Sequence, residues 1–256
     1  MFAAIFAGAA VCVHTIVRRF LPPPERLSEH HEVAGFIMGV VGVLYSVVLG
    51  FLVGTVWTAF ASAQQNADLE AGYVADAFNF AGQLPRAQGL PIQRAIAGYA
   101  IALRDESWSG AQPSHADPTA PFIYEAVRLS FAPPSRTYAN PAAILEANSV
   151  RGALVDALRK LGDARRLRFV QAQGGLPPGM LEALLLGAIA VVAFTFLFGV
   201  RSYVKQMTMT ALLAGSIGLF FGLIIDLSTP YSGPIHVSRD ALRIVIANNH
   251  LDEFSR

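Results

Sequence analysis

The stretch from Gly35 to Trp57, GFIMGVVGVLYSVVLGFLVGTVW, runs for 23 residues without a charged side chain. A helix needs about 20 apolar residues to cross the hydrocarbon core of a bilayer, so this stretch is long enough to span one. The rest of the chain agrees, because 54% of its 256 residues are hydrophobic and only 14% are charged. This composition predicts an integral membrane protein rather than a soluble domain.

Four apolar segments are candidate membrane spans. The first, Phe2–Val17, is short and ends at two arginines, and it has neither the basic start nor the cleavage site of a signal peptide. The others cover about residues 34–61, 180–200 and 207–227. The predicted fold is all-α. Its segments are a first span with a short basic connector (1–33), a second span (34–62), a helical extramembrane region (63–178), the third and fourth spans (179–228) and a C-terminal tail (229–256).

The extramembrane region shows helical spacing of apolar residues and no convincing strand alternation. We expect its helices at about residues 67–84, 91–107, 122–131 and 141–173. Four spans place both chain ends on the same side as this region. Basic residues in the short connectors, such as Arg19 and Lys205, favour the outside for the region. The arginines that precede the third span favour the opposite side, so the side stays open.

Small residues form a stripe along the second span. Their steps of three and four residues keep them on one helix face. They are Gly39, Gly42, Ser46, Gly50 and Gly54. The fourth span repeats the pattern from Ala211 to Gly222. Small residues let helices approach closely in lipid, so one interpretation is helix packing. The other is that the stripe of the second span lines a narrow pore in an oligomer.

Three acidic residues are candidates for the mouth of such a pore. Asp226 ends the fourth span, where an ionisable side chain is costly and often functional. Glu70 and Asp76 follow the second span and would ring the axis of an oligomer. The alternatives are an interfacial cap for Asp226 and solvated helix faces for the other two.

Several classes of function are disfavoured by the sequence. The motif Glu29-His30-His31-Glu32 has zinc-ligand residue types, but adjacent histidines point about 100° apart on a helix, so we expect no metal site. Catalytic triads and nucleotide-binding motifs are absent, so we expect neither an enzyme nor a cofactor. A net charge of +1 gives no basis for nucleic-acid binding.

Four sequence motifs resemble the bacterial bestrophin-like domain family of integral membrane proteins. They are GVLYSVVLGF at 42–51 with Trp57 beyond it, Glu70-Ala71, DARRLR at 163–168 with Leu176-Pro177, and the two segments 226–230 and 233–237. Their order and spacing agree with the family over most of residues 30–240. The resemblance implies a ring-shaped homo-oligomer, with a pentamer as the expected size, whose second span lines an ion path.

Other properties of bestrophins do not carry over to this sequence. The second span lacks a run of aromatic residues like the bestrophin neck, and no acidic cluster matches a calcium clasp. Anion selectivity and calcium gating are therefore not implied. Bestrophins place their large region in the cytoplasm, against the charge count of the short connectors.

Two functions are consistent with the sequence. The first is a multi-pass channel of the bacterial inner membrane, a homo-oligomer with lipid and inorganic ions as its partners. Its pore would follow the stripe, and its acids tilt selectivity towards cations. The second is a non-conducting membrane protein whose helical region binds or senses a partner.

Overall fold

The computed structural model describes residues 1–20, 31–105, 117–132, 141–198 and 202–254. All regular elements in these ranges are helices, which confirms the all-α class. In chain order they are α1 (Phe2–Val17), α2 (His31–Gly82), α3 (Arg86–Asp105), α4 (Ala120–Ser130), α5 (Pro141–Ala172), α6 (Pro178–Thr195), α7 (Tyr203–Ser228), α8 (Asp240–Asn248) and α9 (Leu251–Phe254).

The second predicted span and the first predicted extramembrane helix form one continuous helix, α2, of 52 residues. No proline interrupts this segment, and Gln64 Nε2 donates to Asp68 Oδ1 at 3.0 Å across one turn of it. Hydrogen bonds between side chains four residues apart stabilise the polar part of the helix that follows its apolar part. The segment boundary predicted at residue 62 therefore lies inside a helix that continues without a break.

The chain forms two compact units. The first unit consists of Met1–Ala59 and Gly175–Ser228, and the second of Phe60–Gly174 and Thr229–Arg256. Helix α2 contributes to both, since the boundary falls inside it. Residues 229–254, which the sequence analysis treated as a separate tail, belong to the second unit.

The helices of the first unit are strongly apolar. Within the described ranges, Glu32–Gly82 and Tyr203–Ser228 are long and apolar enough to cross a membrane by length and composition. Phe2–Val17 and Gly179–Thr195 are shorter apolar helices. At about 1.5 Å per residue, the 16 residues of α1 cover roughly 24 Å.

Helices α1 and α7 pack against each other through small residues on α7. A Cβ built at Gly218 would lie 2.8 Å from both the carbonyl oxygen of Phe2 and the Cβ of Phe6. The ring of Phe6 then stacks on Phe221 with 5.2 Å between centroids. For α7, therefore, the small-residue pattern serves close helix packing, as the first interpretation predicted.

The second unit has a continuous apolar core. Helices α2 to α5 contribute its centre, with fully buried Val74 and Leu154 among its members. The C-terminal helices complete it, since Leu242 on α8 and Leu251 on α9 are buried in the same core. The segment after residue 229 is consequently an integral part of this unit.

The α1–α7 contact gives a prediction on stability. Gly218→Ala should lower the free energy of unfolding by about 1–3 kcal/mol, because the new methyl group overlaps the backbone of Phe2. The measurement is the loss of helical circular dichroism on heating the protein in detergent.

Gly215→Ala is the matched control on the same helix. A Cβ there would lie 3.7 Å from the nearest atom, which is an ordinary contact. This variant should be neutral, or more stable by up to about 1 kcal/mol from the higher helix propensity of alanine. Equal losses in the two variants would show that the α1–α7 contact is not as close as described.

Candidate functional site

The stripe on α2 faces open space within its unit. A Cβ built at any of its four glycines would meet no atom within 4 Å beyond the neighbouring turns of the same helix. Ser46 is also exposed, and its hydroxyl donates to the carbonyl of Val43 at 2.9 Å. These five positions therefore contact no other helix of the described first unit.

Helix α2 packs inside the first unit through a different face. Leu49, Leu52 and Val56 are its buried residues there. A Cβ built at Gly187 of α6 would lie 2.7 Å from the ring of Tyr45, which marks the contact between these two helices. At 100° per residue, this buried face points away from most of the stripe.

Exposed small and polar residues continue the stripe beyond Gly54. The steps remain three or four residues, so the exposed face persists along the helix. The continuing positions are Thr58, Ala61, Gln65, Asp68, Gly72 and Asp76, and all of them are exposed. At 100° per residue, Asp68 lies on the face of the stripe, whereas the predicted mouth acid Asp76 lies about 40° around the helix from Gly54 but about 160° from Gly42.

The second predicted acid, Glu70, lies on the opposite, buried face of α2. Its side chain is 2% exposed, and its Oε2 is 3.2 Å from Nε of Arg168 on α5, which is 1% exposed. The hydroxyl of Tyr99 on α3 donates to Oε1 of the same carboxylate. Three helices of the second unit therefore meet at one buried carboxylate, and no solvent reaches it in the single chain.

Further polar contacts surround this group. Asn66 Nδ2 donates to the carbonyl of Ala164 at 2.9 Å, which joins α2 to α5 one turn before Glu70. The Tyr231 hydroxyl lies 3.1 Å from Oε1 of Gln171. Burial raises the pKa of Tyr99 well above its ordinary value, and the negative charge of Glu70 adds to this effect. The phenol accordingly stays protonated and remains a donor at neutral pH.

Each arginine in the 163–168 motif has a different acidic partner. Arg168 binds Glu70, Arg165 binds Asp117, and the exposed Arg166 binds Asp163. The motif therefore forms a network of ion pairs within the helical region.

The Asp117–Arg165 pair holds the start of α4. Asp117 Oδ1 accepts from the Thr119 hydroxyl at 2.6 Å and from the Thr119 amide at 2.9 Å. Burial alone would raise the pKa of Asp117, but the hydrogen bonds from Thr119 and Arg165 outweigh it and lower the pKa. The carboxylate is thus stabilised in its charged form in the folded state.

The third predicted acid, Asp226, lies in the last turn of α7 and is half-buried. Of the motif Glu29-His30-His31-Glu32, where we expected no metal site, residues 29 and 30 lie outside the described ranges. No group of three or more potential metal ligands is found among the described residues.

The buried cluster in which Glu70 contacts Tyr99 and Arg168 was not predicted from the sequence. A signal for it exists, because Glu70 falls in register with Ala63, Asn66 and Val74 on the buried face of α2. A charged residue on an apolar helix face requires a buried partner.

The buried pair gives a second prediction. Glu70→Gln and Arg168→Gln should each destabilise the protein by about 3–5 kcal/mol, because either change leaves one buried charge uncompensated. Thermal unfolding of each variant measures the loss. The control is Arg166→Gln, which removes an exposed charge of the same motif and should cost less than about 1 kcal/mol. If the Arg166 variant were as unstable as the Arg168 variant, the buried pair would not be the anchor.

The lowered pKa of Asp117 gives a third prediction. A carboxyl group whose folded pKa is depressed stabilises the protein above its unfolded pKa of about 3.9, and this contribution is lost as the pH falls through the folded pKa. Asp117→Asn should therefore cost about 1–3 kcal/mol near pH 7. Unfolding of both proteins across the acid range should show the difference shrinking below about pH 4. A difference that does not change with pH would contradict the assignment.

Comparison with known proteins supports the family suggested by the motifs. A crystal structure of a mutant bacterial bestrophin homologue from Klebsiella pneumoniae matches with a TM-score of 0.67 at 12% identity, over 100% of this chain and 98% of that chain. The structure of a second mutant of a bacterial bestrophin homologue from Klebsiella pneumoniae matches with a TM-score of 0.65 at 10% identity, over 100% of both chains. A crystal structure described as that of a membrane protein matches with a TM-score of 0.66 at 12% identity, over 99% of both chains.

At these identities the similarity shows a shared fold. Comparison with curated protein sequences gave no significant match. The sequence profile of the Bestrophin-like domain, in contrast, matches residues 4–242. The family predicted from the motifs is therefore confirmed, and this chain belongs to the Bestrophin-like domain family.

Proposed function

We propose that the chain is one subunit of a homo-oligomeric ion channel in the bacterial inner membrane, with the ion path along the stripe face of α2. The observation that carries the proposal is the open stripe. Its glycines contact no other helix of their unit, whereas Gly218 of α7 is closely packed. A face of small residues that the chain leaves open is suited to the axis of a ring.

Four spans fit this proposal. They would be α1, the apolar part of α2, α6 and α7. Helices α1 and α6 have 16 and 18 residues, roughly 24 and 27 Å, against a hydrocarbon core of about 30 Å. A mismatch of a few ångströms is accommodated by local thinning of the bilayer or by long flanking side chains. An even number of spans would put both chain ends on the side of the helical region.

A ring would also use the large apolar residues of α2. Leu44, Val47 and Phe51 are more than half exposed in the single chain. In a closed ring these residues would contact a neighbouring subunit or lipid, while the small residues face the axis. Family membership makes a pentamer the size to test first.

The charges of α2 favour cations as the permeant ions. Across its 52 residues α2 contains four carboxylates and no lysine or arginine. Asp68 on the stripe face and Asp76 to one side of it are both exposed, so a ring of subunits would present rings of carboxylates. The hydroxyl of Ser46 already donates its hydrogen to Val43 and offers only lone pairs to a passing ion.

The three predicted acids take different parts in this proposal. Asp76 is the favoured mouth acid, because it is exposed. Asp226 remains a candidate for a second charged ring at the end of α7. Glu70 would hold α2 in place through Arg168 rather than face the ions, since its carboxylate is buried in the subunit.

The test is the conductance of the purified protein in a planar bilayer under a potassium chloride gradient. The native protein should give discrete currents that reverse near the potassium equilibrium potential. Gly50→Leu should reduce the conductance at least tenfold, because a leucine in each subunit would fill a narrow path. The oligomer mass, measured on a sizing column, should stay unchanged.

Val48→Leu is the matched control, since it adds bulk at an exposed apolar position of the same helix away from the stripe. It should conduct like the native protein. Equal block by both variants would place the path elsewhere, and reversal near the chloride potential would refute cation selectivity. Silence of the native oligomer under all ionic conditions would favour the second function, a non-conducting membrane protein whose helical region binds a partner.

A further inference from the structure

An apolar groove runs between α1 and α6 in the first unit. Both helices pack on α7, and the space between them is about 610 Å³. This volume lies within the usual range of about 300–1,000 Å³ for small-molecule sites. Its lining residues are almost entirely aliphatic or aromatic, with Ile5, Val13 and Val17 from α1 and Leu185 and Ile189 from α6 among them.

Alanines form the floor of the groove, and larger side chains form its walls. Ala10, Ala188 and Ala214 come from three different helices and are buried. Ile5 and Ile189 rise beside them and are more than half exposed. Small residues at the base and branched residues at the rim make a channel whose shape suits a linear hydrocarbon chain.

One end of the groove is basic. Val17 lines this end, and Arg18 and Arg19 follow it directly in the chain. Lys205 lies in the first turn of α7, beside Tyr203 and Gln206, which both contact Arg18. Among the described residues, Arg18, Arg19 and Lys205 have no carboxylate partner at ion-pair distance.

The guanidinium of Arg18 is held at this end by several contacts. It stacks over the Tyr203 ring with 4.8 Å to the centroid, and its Nη1 lies 3.5 Å from Oε1 of Gln206. Gln206 is itself fixed, because its Nε2 donates to the carbonyl of Phe198 at 2.6 Å. The hydroxyl of Thr15 donates to Val11, so Tyr203 donates to Thr15 at 2.9 Å. The cation is therefore positioned without being neutralised.

We propose that this groove binds an anionic phospholipid. One acyl chain would lie on the alanine floor, and the headgroup phosphate would meet Arg18 and Arg19. Juxtamembrane basic residues attract the headgroups of anionic lipids. A second copy of the chain is a poorer occupant, because closing a protein surface over these unpaired cations would desolvate them without compensation. The inference rests on the membrane location proposed above but not on conduction.

The experiment uses the full-length protein in a zwitterionic detergent. Native mass spectrometry counts the molecules of phosphatidylglycerol or phosphatidylcholine bound to each subunit and gives their affinities. We expect one site per subunit that prefers phosphatidylglycerol at least tenfold. Arg18→Gln with Arg19→Gln should reduce the affinity for phosphatidylglycerol about tenfold or more and leave that for phosphatidylcholine nearly unchanged.

Two matched variants distinguish lipid binding in the groove from nonspecific effects of a substitution on the protein. Ala193→Phe fills the groove from an exposed position of α6 and should weaken both lipids, whereas Ala190→Phe lies on the same helix outside the groove and should weaken neither. Arg86→Gln with Arg94→Gln removes two exposed positive charges from the second unit and should not change lipid preference.

Three results would overturn the proposal. Equal affinity for phosphatidylglycerol and phosphatidylcholine would show that the site does not recognise an anionic headgroup. Competition by inorganic phosphate at the affinity of phosphatidylglycerol would indicate an anion site without an acyl chain. A change of oligomer mass in Ala193→Phe with unchanged lipid binding would make the groove a contact between subunits. A channel that is silent yet binds lipid as expected would leave this inference standing, so the two proposals fail separately.

Discussion

The ion pair between Glu70 and Arg168 is the interaction on which the helical region most depends. It joins the last third of α2 to the end of α5 in a place without solvent, and Tyr99 adds α3 through a hydrogen bond. A charge buried this way is tolerated only if its partner is in place, so the pair stabilises one arrangement of the three helices and penalises others. The apolar core around it contributes most of the driving force but far less directional specificity.

Glycine has two uses in this chain, and the contrast between α2 and α7 distinguishes them. In α7 the absence of a side chain at Gly218 lets the backbone and side chains of α1 approach closely. In α2 the same residue type faces open space, so packing within the unit does not account for it. Packing within the first unit therefore explains the small residue at Gly218 of α7 but not the stripe of α2.

The sequence predicted most of the fold because hydrophobic periodicity and proline positions are local signals. The bounds of α1 and α5 agree with the prediction to within a residue. The sequence could not distinguish Glu70 from Asp76, because which carboxylate is buried depends on helices far away in the chain.

These two acids of α2 differ in whether their charge can reach the surface of the helix. Glu70 and Asp76 are six residues apart and lie on different faces of one helix. Burial and Arg168 neutralise the first, which leaves Asp68 and Asp76 as the charges that α2 presents outwards in the second unit. Because the helix contains no lysine or arginine, any path that it lines receives only negative charge from it. In the ring proposed above, each subunit would contribute the same exposed carboxylates, and these are the basis for the proposed preference for cations.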